Sequence, residues 1–177
     1  KAAEIGQQAL AVTEHGSCAS HFAFHQAGEA TDTKIIYGNE FYFAADRTLR
    51  GLTDEEKNVL TATEVRDANK ARLRKAHLLL LAETDEGLHN IYRLNYHANN
   101  SGFYGKATID LPLLRQYSKG IIATTTCVIS PMARMLQNKK IDDMSVWFED
   151  MLEIFGKDRF FIELHPHALD IQREYNQ

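Results

Sequence analysis

Four residues with metal-binding side chains each adjoin a different predicted strand of this chain: His15, Glu40, His77 and Cys127. Imidazole, carboxylate and thiolate groups are the ligands by which proteins hold zinc-like or manganese-like ions. The four are far apart in the chain, so only the fold can bring them together. Their spacing alone leaves the ordinary alternative open, since a single buried His, Glu or Cys is more often a structural residue.

The elements that must position these residues alternate between strands and helices. Apolar and β-branched runs predict strands at 9–13, 34–44, 77–82, 120–126 and 159–164, the third of them fully buried. Spacing and capping signals predict helices at 20–27, 85–99, 111–117 and 141–155, a helix starting at 130–131, and a helix end at 1–8. This order predicts an α/β fold with a mainly parallel sheet and outer helices. Polar residues at the strand ends are then the default site candidates.

Residues 46–75 differ in character from the rest of the chain. They are highly charged and contain few large apolar residues. Thr53, followed by three acidic residues, is typical of a helix start. We predict a surface insertion with one or two exposed helices, basic toward its end, and its ordinary interpretation is a solvated face.

Composition narrows the class of protein. The chain has 177 residues, of which 44% are hydrophobic and 25% are charged, as expected for one globular domain or most of one. The net charge of −4 argues against a broad basic surface that grips nucleic acid. No apolar run approaches the ~20 residues of a membrane helix, and residues 1–8 lack a signal-peptide pattern. We therefore expect a cytoplasmic domain with no membrane partner, in which Cys18 and Cys127 are thiols.

Several short motifs follow one another in a specific order. They are Thr-Glu-His-Gly at 13–16, Gly-Asn-Glu at 38–40, His-Leu-Leu-Leu-Leu-Ala at 77–82, Gly-Phe-Tyr-Gly-Lys at 102–106 and Phe-Gly-Lys-Asp-Arg-Phe-Phe-Ile-Glu-Leu at 155–164. The ordered set resembles the PHP (polymerase and histidinol phosphatase) domain of bacterial or phage DNA polymerase III alpha subunits, including the PolC type. The resemblance runs from residue 1 to about 167. It implies a distorted (β/α)7 barrel, here incomplete at both ends.

The resemblance also implies a function and a site. In that family, the positions of His15, Glu40, His77 and Cys127 help to bind up to three divalent ions, such as Zn, Mn or Mg. Such ions polarise a phosphate ester and lower the pKa of a bound water. The implied reaction is phosphodiester hydrolysis, as in 3′→5′ exonuclease proofreading. The implied partners are DNA, reached through the parent polymerase, and replisome subunits such as a separate proofreading exonuclease.

The chain also departs from the family pattern. Glu14 stands where the family usually has Asp, which places a longer side chain beside a ligand. The family's opening His-x-His pair would precede Lys1, and its closing Asp and His would follow Gln177. We therefore expect the 177 residues alone to be inactive.

Other residues are weaker candidates. His165 and His167 resemble a metal pair, although Pro166 disturbs their alternation. Lys106 is either a phosphate contact or a surface lysine. His21 and His25 have the i, i+4 spacing of a metal pair, but without a third ligand they are better explained as a surface face.

Three alternatives remain open. The domain could be a catalytically inactive scaffold that docks a proofreading exonuclease, or a small-molecule phosphatase of the histidinol-phosphatase kind. The motifs at 102–106 and 155–164 favour the polymerase branch over the second of these. The third alternative is an unrelated α/β protein in which the motifs are coincidental.

Overall fold

A computed structural model describes residues 1–166 and 169–176. The strands are β1 (Ala9–Val12), β2 (Lys34–Phe43), β3 (Ala76–Ala82), β4 (Thr108–Ile109), β5 (Ile121–Thr124) and β6 (Phe160–Phe161). The helices are α1 (His21–Thr31), α2 (Asp54–Asn58), α3 (Ala62–Arg72), α4 (Asp85–Asn100), α5 (Leu111–Tyr117), α6 (Pro131–Gln137), α7 (Ile141–Phe155) and α8 (Asp170–Tyr175). A 3-10 helix (Ala3–Ile5) precedes β1 and takes the place of the helix end predicted at 1–8.

The six strands form one mixed sheet in the order β1-β2-β3-β5-β6, with β4 also paired to β2. The β1–β2, β2–β4 and β5–β6 pairs are parallel, whereas β3 runs antiparallel to both β2 and β5. Five of the six strands therefore run in one direction, as the prediction of a mainly parallel sheet expects, and only the reversal of β3 at the centre was not predicted. The α/β class is confirmed. Within the described residues β1 and β6 do not pair, so the sheet is open, consistent with an incomplete barrel.

The central strands β2 and β3 have two chemically different faces. Successive side chains of a strand point to opposite sides of the sheet, and Phe41, Leu78 and Leu80 on one side are fully buried. Helices α4, α5 and α7 cover this face with apolar residues such as Leu94. On the other face of β3, His77, Leu79 and Leu81 are only partly buried, so the prediction that the strand at 77–82 is fully buried is wrong.

Side-chain caps fix where the covering helices begin. Thr84 caps α4, Asp110 caps α5 and Ser130 caps α6. Each side chain accepts a hydrogen bond from the backbone N–H of the residue three positions later. At the start of α4 the backbone comes very close to the turn before β5. A Cβ atom on Gly87 would lie 1.7 Å from the carbonyl oxygen of Gly120, so this helix can approach the sheet only with glycine there.

The segment 46–75 forms two exposed helices, as predicted. Both α2 and α3 begin with a capping box, in which Thr53 and Thr61 exchange hydrogen bonds with Glu56 and Glu64, and neither helix has a buried residue. A salt bridge of 2.9 Å from Arg47 to the buried Asp110 ties the start of this segment to the core. That the segment is an insertion in the domain stays a prediction.

The remaining differences lie at short elements. The strand predicted at 159–164 pairs over only two residues, and neither β4 nor α8 was predicted. Both missed elements are too short to show a periodic pattern. None of the described helices is both long enough and apolar enough to cross a membrane.

Candidate metal centre

The pairing of β1 with β2 continues beyond β1 and brings His15 beside Glu40. The two residues form a parallel bridge in the same register as the strands. The N–H of Glu40 donates to the carbonyl oxygen of Glu14, and the N–H of Gly16 donates to that of Glu40, each over 3.0 Å. The Thr-Glu-His-Gly turn is thus held by the sheet, and its histidine is positioned by backbone hydrogen bonds.

The carboxylate of Glu40 lies between two imidazoles. Its Oε2 is 3.2 Å from His15 Nε2, and its Oε1 is 2.9 Å from His77 Nδ1. Because β2 lies between β1 and β3, the two histidines approach it from opposite sides: His15 from the turn after β1 and His77 from β3. One ligand atom from each of the three residues lies within 4.8 Å of the other two, so the group could hold a metal ion.

Cys127 lies at the same place, in the loop that follows β5. Its Sγ is 3.8 Å from His77 Nδ1 and 4.0 Å from Glu40 Oε1. Four tetrahedral ligands that bind one ion at ~2.0–2.3 Å lie roughly 3–4 Å from one another. The distances from Cys127 to Glu40 and His77 fall in that range, so Cys127 lies beside the three-residue group of His15, Glu40 and His77. Their role as ligands stays a prediction.

The two histidines differ in exposure and in electrostatics. The side chain of His15 is 55% exposed, whereas that of His77 is 15% exposed. Burial lowers the pKa of His77; the nearby Glu40 carboxylate opposes this effect and the His15 imidazole adds to it. A lowered pKa favours the neutral imidazole, which is the form that binds metals.

Glu14 turns away from the cluster. Its Oε2 accepts a hydrogen bond of 3.0 Å from the backbone N–H of Ser20, just before α1. The longer side chain at this position therefore supports the start of a helix. An Asp side chain is one methylene shorter and would not reach the same N–H from this backbone position.

Tyr42 and Lys106 lie beside the histidines. The Tyr42 ring is 5.3 Å from that of His77 and 6.3 Å from that of His15, between centroids. The ammonium of Lys106 lies 4.8 Å from the Tyr42 centroid, which is a cation–π contact. Tyr42 was not predicted as a site residue, although its two-residue spacing from Glu40 puts both side chains on one face of the strand. A phosphate contact for Lys106 stays a prediction.

A hydrogen-bonded chain of side chains leads from Glu40 to a second carboxylate, Glu163. The Thr126 hydroxyl donates to Glu40 Oε1 over 3.3 Å, and the Thr126 N–H donates to Thr124 Oγ1 over 3.2 Å. The Thr124 hydroxyl in turn donates to Glu163 Oε2 over 2.6 Å. Sequence reasoning missed Glu163 as a site residue, though it follows the last strand at the same edge of the sheet.

His165 joins the same network. Its Nε2 is 2.7 Å from Glu163 Oε1. The network places His165 near the cluster through Glu163, and a ligand role for His165 stays a prediction. The other member of the predicted pair, His167, lies outside the described residues.

His21 and His25 do not belong to the cluster. His21 is buried, its Nε2 lies 2.9 Å from the carbonyl oxygen of Gly38, and its Nδ1 is 3.2 Å from the Tyr92 hydroxyl. The interpretation of this residue as surface is therefore wrong. His25 is exposed, as expected, and lies 2.9 Å from the Tyr37 hydroxyl.

An α/β sheet that gathers two imidazoles, a carboxylate and a thiol at its strand ends defines a candidate metal-site domain. The family model described as "PHP domain" matches residues 1–167, and the chain belongs to this family. It is 30% identical over 177 residues to the DNA polymerase III subunit alpha of Aquifex aeolicus. The matched region covers 100% of this chain and 14% of that protein.

Two further relatives carry the same protein name as the Aquifex relative. The DNA polymerase III subunit alpha of Thermus aquaticus is 32% identical over 169 residues, covering 96% of this chain and 13% of that protein. The protein of the same name from Deinococcus radiodurans is 32% identical over 175 residues, covering 95% and 12% respectively. The chain therefore spans about one-seventh of the length of the Aquifex relative and slightly less of the other two.

Proposed function

We propose that this chain is the PHP domain of a replicative DNA polymerase III alpha subunit, and that its strand-end cluster is a divalent metal centre that hydrolyses phosphodiester bonds. The observation that carries the proposal is the Glu40 carboxylate, which lies 2.9 and 3.2 Å from two imidazoles and 4.0 Å from a thiol. The family match supports the fold, and the relatives support the polymerase context.

The residues suit zinc better than magnesium. Nitrogen and sulfur ligands favour zinc, whereas magnesium prefers oxygen ligands and bound waters. The cluster offers two imidazoles and one thiol for a single carboxylate. A bound divalent ion would polarise a phosphate ester and lower the pKa of a water to near neutrality.

The chain's own groups have separate roles in this proposal. His77 and Cys127 are half-buried and would hold the inner side of the ion. The exposed His15 would hold the open side, where substrate enters. Lys106, held above the Tyr42 ring, would contact a substrate phosphate.

The partners follow from the polymerase context of the relatives. DNA would reach the centre as the 3′ end of a strand held by the parent polymerase. Other replisome subunits, such as a separate proofreading exonuclease, would be the protein partners.

A hydrolysis assay tests the proposal on the protein expressed from its complete gene. The substrate is single-stranded DNA labelled near its 3′ end, with Zn²⁺ or Mn²⁺ added, or with EDTA. We expect metal-dependent removal of 3′ nucleotides that is lost in His77→Ala and in Cys127→Ser. The variant His25→Ala is the control, since this exposed histidine lies outside the cluster.

Two results would contradict the proposal, and each favours one alternative. Metal binding without any hydrolysis would indicate an inactive scaffold that docks a separate exonuclease. Hydrolysis of p-nitrophenyl phosphate but not of DNA would indicate a small-molecule phosphatase.

A further inference from the structure

A cleft next to the metal cluster is lined by four cations. Lys70, Arg74, Lys75 and Arg134 surround a hollow of about 540 Å³, which we call the basic cleft. Its other lining residues are apolar or neutral, and none of those described is acidic. This concentration of positive charge stands out in a chain whose net charge is −4.

The four cations lack the carboxylate partners found elsewhere on the surface. Arg47, Arg72 and Arg115 each form a salt bridge with Asp or Glu. None of the cations of the basic cleft does so with any carboxylate in residues 1–166 or 169–176. Asp46 attracts Lys75 from outside the cleft, but no described carboxylate lines the cleft itself. The grouped positive charges therefore repel one another, and a bound anion would relieve that repulsion.

Arg134 is the clearest example of a cleft cation without a salt-bridge partner among the described residues. It is half-buried, and burial together with the positive charge of Arg74 lowers its pKa. A guanidinium that is partly withdrawn from water and faces a second one provides the forked donors that suit phosphate.

The basic cleft adjoins the candidate metal ligands along two stretches of chain. Lys75 lies two residues before His77, and the lining residues Val128 and Ile129 directly follow Cys127. The N–H of His77 donates to the carbonyl oxygen of Ile129 over 3.3 Å, which joins the two stretches. A chain of phosphates in the cleft would therefore run close to the cluster.

An apolar hollow meets the basic cleft at its two arginines. This hollow of about 500 Å³ is also lined by Arg74 and Arg134. Apolar residues such as Phe43, Leu111 and Trp147 form most of its other walls, and its charged lining residues besides the arginines are Lys140, Asp143 and Asp150. Phosphates on one side and an unpaired base on the other match a single strand, whose bases are free to enter apolar pockets. A duplex keeps its bases stacked inside.

We propose that the basic cleft binds successive phosphates of single-stranded DNA and directs the strand toward the metal cluster. The inference deepens the proposed function and rests on it for the identity of the nucleic acid. Binding to the cleft needs no metal, so it is separable from hydrolysis by experiment.

The test measures binding of a fluorescent twelve-residue oligothymidylate to the 177-residue chain by anisotropy, in EDTA and at several salt concentrations. The main variant is Lys70→Gln/Arg74→Gln/Arg134→Gln. We expect it to bind at least ~10-fold more weakly at low salt. The slope of log K against log [salt] should fall by about 2, because each phosphate contact on a single strand contributes about 0.7.

Two further variants keep the test decisive. Lys70→Gln/Arg74→Gln alters only exposed side chains and should lower the slope by about 1.4, even if loss of Arg134 disturbs the fold. Lys57→Gln/Arg66→Gln removes the same two charges as this double variant from salt-bridged residues outside the cleft and should leave binding unchanged.

Three outcomes would overturn the inference. They are equal losses in the cleft and control variants, no binding by the unaltered chain, and displacement of the oligomer by thymidine monophosphate at equal nucleotide concentration. The last would show that the cleft takes a single nucleotide and not a strand. Intact binding in a protein that fails to hydrolyse DNA would contradict the proposed function and leave this inference standing.

Discussion

The two faces of β2 and β3 carry residues that are neighbours in the chain and opposite in character. On one face, Phe41, Leu78 and Leu80 are fully buried beneath three helices. On the other, Glu40 and His77 meet at 2.9 Å and are partly exposed. Both strands therefore contribute to the core with every second residue, and Glu40 and His77 on their other face contribute to the candidate site.

This difference separates stability from chemistry. The apolar face removes hydrocarbon from water, which is the main stabilising term in folding. The polar face holds a carboxylate and imidazoles close together, and burial already disfavours the charged form of His77. We expect substitutions on the first face to act on folding, and those on the second to act on metal binding.

The largest expected effect is on the apolar face. Leu80→Ala should lower the free energy of unfolding by about 3 kcal/mol, since truncating a buried leucine leaves a cavity. Leu79→Ala, one residue away on the half-exposed polar face, should cost clearly less. Chemical denaturation of both variants checks this, and equal losses would contradict the assignment of the two faces.

The second effect is on metal binding. His77→Ala should weaken binding of Zn²⁺ by at least ~100-fold, more than loss of an outer-shell partner would. Its effect on unfolding in EDTA should be small, because the half-buried imidazole is not part of the apolar core. Calorimetric titration measures the affinity. A stability loss comparable to that of Leu80→Ala, with metal affinity unchanged, would reverse the interpretation.

A third, smaller effect concerns the hydrogen bonds behind the cluster. Thr124→Val keeps the shape of the side chain but removes the hydroxyl that donates to Glu163 and accepts from Thr126. We expect zinc affinity to fall by about 10-fold. Ser145→Ala, which removes a hydroxyl on the exposed side of α7, is the control. Equal affinities in the two variants would mean that the threonine chain does not support Glu40.

The smallest effect is a pH dependence. Because the pKa of His77 is lowered in the folded state, the unfolded chain takes up this proton first as pH falls. The metal-free protein should therefore lose stability as pH drops below the ordinary histidine value of about 6.5. In His77→Gln this part of the loss should disappear. If His77→Gln and the unaltered protein lose stability over the same pH range and to the same extent, His77 does not contribute to the pH dependence of unfolding.

The sequence predicted the long elements well, and its four candidate ligand positions lie near one another, while their role as ligands stays a prediction. The boundaries of α4, α5 and α7 agree with expectation to within one residue, because α4 and α5 begin at capping side chains and α7 has a clear apolar face. The four cluster residues were found through chemically distinctive side chains beside predicted strands, and the ordered motifs supported them. The fold then brings all four together.

The failures have physical causes. The antiparallel direction of β3 depends on long-range pairing with β2 and β5, which no local pattern encodes. In the sequence, Glu163 is an ordinary residue of a strand motif, and only the hydrogen bond that it accepts from Thr124 links it to the site. In the sequence, Arg134 has no feature that separates it from other helical lysines and arginines. Only the tertiary fold places it with Arg74 in the basic cleft.

A cobalt titration of the 177-residue chain tests the metal centre most directly. A thiolate bound to Co²⁺ gives a ligand-to-metal charge-transfer band, so the two cysteines provide a matched pair of variants. We predict the band in the unaltered chain and in Cys18→Ser, and its loss in Cys127→Ser. A band that persists in Cys127→Ser, or that never appears, would contradict a metal centre formed by His15, Glu40, His77 and Cys127.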